Sequence, residues 1–289
     1  MGRSTGLEPA TSGTTNRRSN QLSYDRHMRL RQVKRAAENR RAGPPKRLST
    51  RAAASCTSMA TCKGKTALAR WRAGIIVCGM MIPGETSRDI LLATSGVRRV
   101  PSDRLEVFDC PRFLPPELCA ELVALIERDR RPSTIADANG DYAFRTSETC
   151  DLDADEPAVR DLEARLLALN GINPAHGEPL QGQRYLVGQE FKAHTDYFEP
   201  DGADYAQYCT DSGNRTWTFM IYLGEVAEGG ATRFKVIGKT FQPETGKLVC
   251  WNNKRPDGRC NPNTLHHGMK VRAGVKYVIT KWYREGEWW

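Results

Sequence analysis

Histidine is scarce in this chain, and closely spaced cysteine pairs are absent. Only five histidines occur in 289 residues, and no two of the nine cysteines form a C-x-x-C pair. The odd number of cysteines disfavours a complete disulfide framework and predicts mostly reduced thiols, as in a cytoplasmic protein. We therefore expect a cytoplasmic location.

Long hydrophobic runs are also absent. The apolar run at residues 73–82 is interrupted by two glycines and followed by Pro83. It is far shorter than the roughly 20 residues that span a bilayer, and it lies too deep in the chain for a signal peptide. A phosphate-binding loop is incomplete, because Met59 occupies the position of the leading glycine before Gly64-Lys65-Thr66. We expect neither a membrane partner nor a P-loop nucleotide site.

Acidic residues are rare near the amino terminus. Residues 1–79 contain 17 of the 43 Lys and Arg but only three of the 34 Asp and Glu, a net charge of +14. The rest of the chain carries a net charge of −5 within the total of +9. A basic tail on an acidic body is not a basic groove, so no nucleic-acid partner is expected. Nucleic-acid binding by the tail alone stays open as an alternative.

The same basic segment contains few large apolar residues, and these do not recur at the spacing of a helix or a strand. It cannot bury enough apolar surface to offset its conformational entropy, so we expect disorder at residues 1–79. The string at residues 6–24 resembles the conceptual translation of a transfer-RNA gene region. Our hypothesis is that the assigned start lies too far upstream, with Met59, Met80 or Met81 as the initiator.

The hydrophobic period changes along the rest of the chain. Amphipathic helices are predicted from residues 114–117 to before Pro132, and from Pro157 to Gly171. Beyond residue 181 the period becomes two, as in residues 217–223. Helices followed by short strands predict an α+β fold, a double-stranded β-helix (jelly-roll) core with flanking N-terminal helices. The predicted parts are a basic segment at residues 1–79, a linker at 80–104 and a domain at 105–289.

The most informative pattern is His194-x-Asp196, followed 72 positions later by His266. Residues i and i+2 of an extended strand point to one face, so this imidazole and carboxylate can bind one metal ion together. A second histidine from a distant strand completes the two-histidine, one-carboxylate ligand set of non-haem Fe(II) oxygenases. Zn or Mn in a non-redox site stays an alternative, because ligand types alone do not identify the metal.

Lys276 follows His266 by ten positions, in a predicted strand. Strand alternation places Lys276 and Trp282 on one face and Lys281 on the other. A lysine that points into an apolar barrel needs an anionic partner, since an unpaired buried ammonium is very costly. A dicarboxylate co-substrate bound to the metal would be such a partner, which favours iron with 2-oxoglutarate over zinc or manganese.

From about residue 105 to residue 285 the chain resembles the prolyl 4-hydroxylase-like family of Fe(II)- and 2-oxoglutarate-dependent dioxygenases. The resemblance rests on several blocks whose order and spacing are specific. The blocks are Arg145-Thr146-Ser147, Arg184-Tyr185, His194-Thr195-Asp196-Tyr197-Phe198, Arg215-Thr216, Tyr222-Leu223, Glu228-Gly229-Gly230-Ala231-Thr232-Arg233-Phe234, Leu265-His266-His267-Gly268, Gly274-Val275-Lys276-Tyr277 and Lys281-Trp282. The chain departs from the family at Phe191, where tyrosine is frequent, and at Lys270, where proline is frequent.

The resemblance implies a role for each residue of the central pattern. His194, Asp196 and His266 would bind Fe(II), which 2-oxoglutarate chelates, and Lys276 would pair with the far carboxylate. The family places its basic anchor ten residues after the distal histidine, which selects His266 over His267. His267 is then expected to face solvent or to lie behind the ligand residues, with a place at the substrate mouth as the alternative. The implied reaction consumes O2, releases succinate and CO2 and hydroxylates a C–H bond, with ascorbate as a possible reductant.

The resemblance also suggests residues around the co-substrate and the substrate. Tyr185 would donate a hydrogen bond to the far end of 2-oxoglutarate, and Thr232 is a weaker candidate for the same role. Arg145 belongs to a segment on the substrate side, with a structural ion pair as the alternative. The loop at residues 201–214 is a candidate lid.

The substrate implied by the resemblance is a prolyl or other side chain in a peptide or protein. Two alternatives stay open. One is a hydroxylase of a free amino acid or small metabolite on the same site. The other is a non-catalytic relative that binds metal or 2-oxoglutarate without turnover.

Overall fold

A computed structural model describes residues 86–133, 144–202 and 204–288 of the chain. All of them belong to one compact unit that spans Gly79–Trp288. The predicted disorder and alternative start within residues 1–79 lie outside the described residues and stay predictions. Of the helices in the described ranges, none combines the length and the apolar character needed to cross a bilayer.

The described residues contain short helices and many short strands. The helices are α1 (Ser87–Ala93), α2 (Pro116–Arg128), α3 (Pro157–Asn170) and α4 (Tyr205–Cys209), with 3-10 turns at Pro174–His176 and Pro262–Thr264. The strands are β1 (Arg98–Arg99), β2 (Val107–Cys110), β3 (Arg131–Pro132), β4 (Glu148–Asp151), β5 (Gln181–Tyr185), β6 (Phe191–His194), β7 (Arg215–Tyr222), β8 (Glu228–Gly229), β9 (Thr232–Phe234), β10 (Lys239–Phe241), β11 (Leu248–Asn252), β12 (His266–Gly268), β13 (Val271–Ala273) and β14 (Lys276–Arg284).

The strands form two main antiparallel sheets. The larger has the order β1-β2-β11-β7-β14-β5-β4-β3, the smaller has the order β10-β9-β12-β6, and β8 pairs with β13. Side chains from both main sheets meet in one apolar cluster, with Tyr222 and Val278 from the larger sheet and Phe234 and Phe241 from the smaller. Two facing sheets around a common interior, with helices outside, confirm the predicted α+β jelly roll.

Strand β7 shows why the larger sheet is apolar on both faces. Trp217, Phe219 and Ile221 belong to a cluster shared with the helices, whereas Met220 and Tyr222 belong to the interior cluster between the sheets. Alternate residues of a strand point to opposite faces. The predicted alternation of side chains is therefore present in β7, although the apolar residues on both of its faces are buried.

The helices α2 and α3 have the predicted starts, and both carry proline in the first turn. Helix α3 ends at Gly171, whose φ of +65° is the left-handed conformation that glycine adopts readily. A Cβ on Gly182 of β5 would lie 2.4 Å from Ile126 Cγ1, so this glycine allows α2 to approach the sheet closely. The helices thus cover the outer face of the larger sheet.

The predicted linker at residues 80–104 is wrong for its described part, residues 86–104. These residues form α1, which Thr86 caps, and β1, which pairs with β2. Leu91 of α1 is fully buried in the cluster under the helices. The sequence signal was weak because α1 has only seven residues and one buried side chain, too few to show a helical period.

Substitution of Leu91 tests whether this segment is integral to the domain. Leu91→Ala should lower the free energy of unfolding by about 2 to 5 kcal/mol, because it removes buried methyl groups and leaves a cavity. The neighbouring Leu92 is 48% exposed, so Leu92→Ala should change stability by less than about 0.5 kcal/mol. Urea unfolding of both variants measures the difference, and equal effects would contradict the packing of α1.

Candidate active site

The three predicted metal ligands meet at one end of the barrel interior. His194 ends β6 and His266 begins β12, and the antiparallel pairing of these strands sets the two residues opposite each other. Asp196 lies two residues beyond His194, just after the strand rather than within it. One ligand atom from each of the three residues lies within 4.8 Å of the others. The predicted convergence is confirmed.

Backbone carbonyls orient both imidazoles. His194 Nδ1 lies 2.8 Å from the carbonyl oxygen of Lys192, and His266 Nδ1 lies 2.9 Å from that of Thr264. A carbonyl only accepts hydrogen bonds, so Nδ1 carries the proton and Nε2 keeps its lone pair. Burial, together with the nearby His266, lowers the pKa of His194 well below its usual value. The neutral imidazole that a metal requires is therefore the favoured form.

Aromatic rings hold these imidazoles in place. Phe191 stacks on His194 with ring centroids 3.5 Å apart, whereas Phe234 and Trp251 lie 5.3 and 4.8 Å from the ring of His266. Phe191 is one of the positions at which the chain departs from the family pattern. An apolar ring there provides a wall without adding a polar group.

A buried ionic network supports the loop that follows the carboxylate. Arg215 donates to the Asp196 carbonyl oxygen at 3.1 Å and binds Glu178 through Nε and Nη2 at 2.6 and 2.8 Å. Arg284 also donates to Glu178, at 2.6 Å, and to two main-chain carbonyls of the candidate lid. Burial alone would raise the pKa of Glu178, but the two arginines outweigh it and the pKa is lowered. This network was not predicted, because no regular spacing in the sequence links Glu178, Arg215 and Arg284.

Lys276 lies in the interior as strand alternation predicted. It is 2% exposed, and its Nζ lies 4.9 Å from the ring centroid of Tyr185 and 5.5 Å from that of Tyr222. Within the described ranges no carboxylate forms a salt bridge with it, and burial lowers its pKa to about 7. Lys281 points to the opposite face, where its Nζ lies 2.5 Å from Glu163 Oε1. The structure therefore offers a buried cation with room for an anionic partner.

Comparison with known proteins identifies the family. Residues 180–284 match the model of the 2OG-Fe(II) oxygenase superfamily. The chain is 30% identical over 201 residues to probable prolyl 4-hydroxylase 10 of Arabidopsis thaliana, covering 61% of this chain and 68% of that protein. It is 34% identical over 143 residues to prolyl 4-hydroxylase subunit alpha-1 of Gallus gallus, covering 49% of this chain and 28% of that protein. The chain belongs to the prolyl 4-hydroxylase-like 2OG-Fe(II) oxygenases.

The solved structures include a viral collagen prolyl hydroxylase from Paramecium Bursaria Chlorella virus-1, in a 2OG complex. It is 23% identical, with a TM-score of 0.49, and the match covers 62% of this chain and 95% of that one. The chain spans about a quarter of the length of the alpha-1 subunits that it matches and about two thirds of the Arabidopsis relatives.

Family membership implies Fe(II), 2-oxoglutarate and O2 as cofactors, and the residues present fit them. Two imidazoles and one carboxylate converge at the same place, which is the donor set of non-haem Fe(II). Lys276 contacts Tyr185 and Tyr222, which belong to the same interior cluster as the Phe234 and Trp251 rings beside His266. Its ammonium matches the need of an oxo dicarboxylic acid for a cation at its far end. The donor set and the buried lysine were both predicted from the sequence.

Tyr185 lies beside Lys276, and Thr232 bonds to Tyr222, the other ring beside that lysine. The hydroxyl groups of Tyr185 and Thr232 both have partners within the protein. Tyr185 donates to Gln183 Oε1 at 2.8 Å, and Thr232 Oγ1 accepts a 2.7 Å bond from the hydroxyl of Tyr222. Their predicted contact with 2-oxoglutarate stays a prediction. Tyr222, to which no role was assigned from the sequence, is the ring that lies next to both Lys276 and Thr232.

Arg145 lies against the metal-ligand cluster through Phe191. It is 9% exposed, its guanidinium lies 4.9 Å from the Phe191 ring, and β-bridge pairing joins the two residues. Its side chain also donates to Thr149 at 3.1 Å and to Gln181 at 2.9 Å. Burial lowers the pKa of Arg145. The structure places Arg145 next to the cluster, while its role toward the substrate stays a prediction.

His267 differs sharply from its neighbour His266. It is half-buried, and its Nε2 lies 3.0 Å from Glu190 Oε2, whose other oxygen lies 3.5 Å from Lys270 Nζ. The two histidines are adjacent in a strand and so point to opposite faces. His267 and Lys270, of which Lys270 departs from the family pattern, thus share Glu190 as one acidic partner outside the barrel interior.

Replacement of Lys276 should reveal the energetic cost of its burial. Lys276→Met should raise the free energy of unfolding at pH 7, without metal or 2-oxoglutarate, by about 1 to 4 kcal/mol, as when buried charges are replaced by apolar residues. The pKa of Lys276 is about 7 when folded and near 10.5 when unfolded. Between these two pH values the unfolded wild type therefore binds more protons than the folded wild type. The free energy of unfolding of the wild type consequently rises with pH.

The difference in free energy of unfolding between Lys276→Met and the wild type should accordingly become smaller between pH 7 and about pH 10. Urea unfolding of both proteins measures this difference. Lys281→Met is the matched control, because it breaks a buried ion pair and should be destabilising. A Lys276→Met variant that is less stable than the wild type at pH 7 would contradict an unpaired buried lysine.

Proposed function

We propose that this protein is a 2-oxoglutarate-dependent dioxygenase that hydroxylates a prolyl side chain in a peptide or protein. One observation carries the proposal: His194, Asp196 and His266 cluster in the same interior as Lys276, which forms no salt bridge with a described residue. The cluster alone would suit several metals. A buried cation beside it requires an anionic ligand, and a metal-bound dicarboxylate meets that requirement.

The residues of the chain bind, orient and enclose the reactants. When bound, Fe(II) and 2-oxoglutarate supply the oxidative chemistry, which converts O2 and the oxo acid into succinate, CO2 and one oxygen atom inserted into a C–H bond. His194 and His266 each present Nε2, and Asp196 presents a carboxylate oxygen. Lys276 neutralises the far carboxylate, and this favours one orientation of the oxo acid in the barrel. The aromatic rings around the histidines exclude water.

The names of the relatives support the substrate class. The proteins from Arabidopsis thaliana and Gallus gallus are prolyl 4-hydroxylases, which favours proline within a chain over a free amino acid. Arg145 lies next to the cluster through its contact with Phe191, and its role on the substrate side is part of the proposal. Ascorbate as reductant and a cytoplasmic location stay predictions.

Turnover assays test the proposal directly. With Fe(II), 2-oxoglutarate and a proline-rich peptide, the wild type should release succinate and the peptide should gain the mass of one oxygen atom per hydroxylation. His194→Ala and Asp196→Ala should lose nearly all turnover, because each removes a metal ligand. His267→Ala is the matched control and should keep most of it, since His267 pairs with Glu190 instead.

Three other outcomes would change or refute the proposed function. Hydroxylation of free proline at a higher kcat/KM than any peptide would replace the peptide substrate with a small metabolite. Metal binding without succinate release under any condition would indicate a non-catalytic relative. Half of wild-type turnover in His194→Ala would rule out the assigned ligand set.

Two lysines on opposite faces of β14 give a second test of the site. Lys276→Ala leaves the far carboxylate of 2-oxoglutarate buried without a partner, which costs about 2 to 5 kcal/mol. The KM for 2-oxoglutarate should therefore rise by roughly 30-fold to several thousand-fold. Lys281→Ala removes the pair with Glu163 under the helices and should change that KM little. Equal effects would show that Lys276 does not face the co-substrate.

A further inference from the structure

The Asp196 carboxylate is not free to rotate. Thr218 donates its hydroxyl hydrogen to Asp196 Oδ2 at 2.8 Å. Asp196 Oδ1 lies 3.7 Å from His194 Nε2, on the side of the histidines. Thr218 is fully buried and lies on the face of β7 that points into the barrel, as its neighbours Trp217 and Phe219 belong to the cluster under the helices. One oxygen is thus engaged by the protein and the other faces the ligand cluster.

A second side chain fixes the direction of that hydrogen bond. Asn253 Nδ2 donates to Thr218 Oγ1 at 2.9 Å, and Asn253 is also fully buried. Because the amide occupies a lone pair of the hydroxyl oxygen, the single hydroxyl hydrogen is directed toward Asp196. The order of donation therefore runs from Asn253 through Thr218 to the carboxylate.

We call this chain of hydrogen bonds, from Asn253 through Thr218 to Asp196, the relay. Main-chain hydrogen bonds anchor Asn253, the residue farthest from the carboxylate. The backbone N–H of Asn253 donates to the carbonyl of Thr216 at 2.7 Å, and its carbonyl accepts from the N–H of Asn261 at 2.9 Å. These contacts tie the residue after β11 to β7 on one side and to the loop leading to His266 on the other. The position of Asn253 is therefore set by main-chain hydrogen bonds and not by side-chain packing alone.

We propose that Asn253 and Thr218 are positioning residues that hold Asp196 as a metal ligand through one oxygen and thereby set the affinity for the metal. The inference rests on the proposed function. A charge-assisted hydrogen bond to Oδ2 stabilises the ionised carboxylate and disfavours a rotation that would bring both oxygens to the metal. Groups that orient metal ligands in this way typically contribute 10- to 100-fold in metal affinity.

Titration of the metal-free full-length protein with Co(II) under anaerobic conditions tests the relay without turnover. Thr218→Val keeps the shape and removes the hydroxyl, so Co(II) should bind about 10- to 100-fold more weakly and its visible absorption spectrum should change. Thr218→Ser restores the hydroxyl and should return both readouts toward wild type. Asn253→Ala alone should also weaken Co(II) binding. In a double variant with Thr218→Val it should cause little further loss of Co(II) affinity, because the two residues act in one hydrogen-bonded chain.

Two buried residues whose side chains hydrogen-bond to other partners serve as matched controls. Thr280 Oγ1 accepts from Gln183, and Asn170 Nδ2 donates to the Tyr283 hydroxyl, so Thr280→Val and Asn170→Ala should leave the Co(II) affinity close to wild type. Circular dichroism verifies folding of each variant, and Asn253→Ala decides the question if Thr218→Val does not fold.

The proposal is overturned if Thr218→Val binds Co(II) as tightly as the wild type with an unchanged spectrum. It is equally overturned if Thr218→Ser is as weak as Thr218→Val, because the hydroxyl would then be irrelevant, or if the effects of Thr218→Val and Asn253→Ala simply add. A folded wild type that binds no Co(II) would instead refute the metal centre of the proposed function itself.

Discussion

The antiparallel pairing of β6 with β12 is the constraint on which the site depends. It places His266 directly opposite His194, although the two residues are 72 positions apart in the chain. A shift of one residue in this register would turn His266 outward and bring His267 to the inner face. The pairing of β12 with β9 on its other edge fixes that register from both sides. Strand pairing, more than local loop structure, therefore determines which of two adjacent histidines meets the carboxylate.

The interior holds charges at an energetic cost that the rest of the fold must offset. Lys276 is buried without a salt bridge to any described residue, and its pKa falls to about 7, so the protein without its anion tolerates a destabilised cation. Glu178 is also buried, but Arg215 and Arg284 compensate it. The apolar cluster on the other face of the larger sheet, under the helices, contributes stability without touching the site. This division lets one face bind ligands while the other maintains the fold.

Sequence patterns identified the parts of the site that repeat along a strand or a helix. The period of two separated Lys276 from Lys281, and proline and glycine marked the ends of α3. Spacing in the chain carries no information about contacts that join one side chain to a distant strand. The network around Glu178 and the relay from Asn253 through Thr218 to Asp196 are of that kind, and both were missed. Helix α1 was missed for a different reason, because one buried leucine gives no period.

The candidate lid is anchored mainly through its main-chain carbonyls. Arg284 donates to the carbonyl oxygens of Tyr208 and Gly213, and Arg215 donates to that of Asp196. These acceptors belong to the main chain, so most side chains between residues 205 and 213 can change without loss of the anchoring hydrogen bonds. Asp196, by contrast, accepts a hydrogen bond from the side chain of Thr218, so the residue type at that strand position matters. Side chains in this segment can therefore change while the interior that holds Lys276 stays the same.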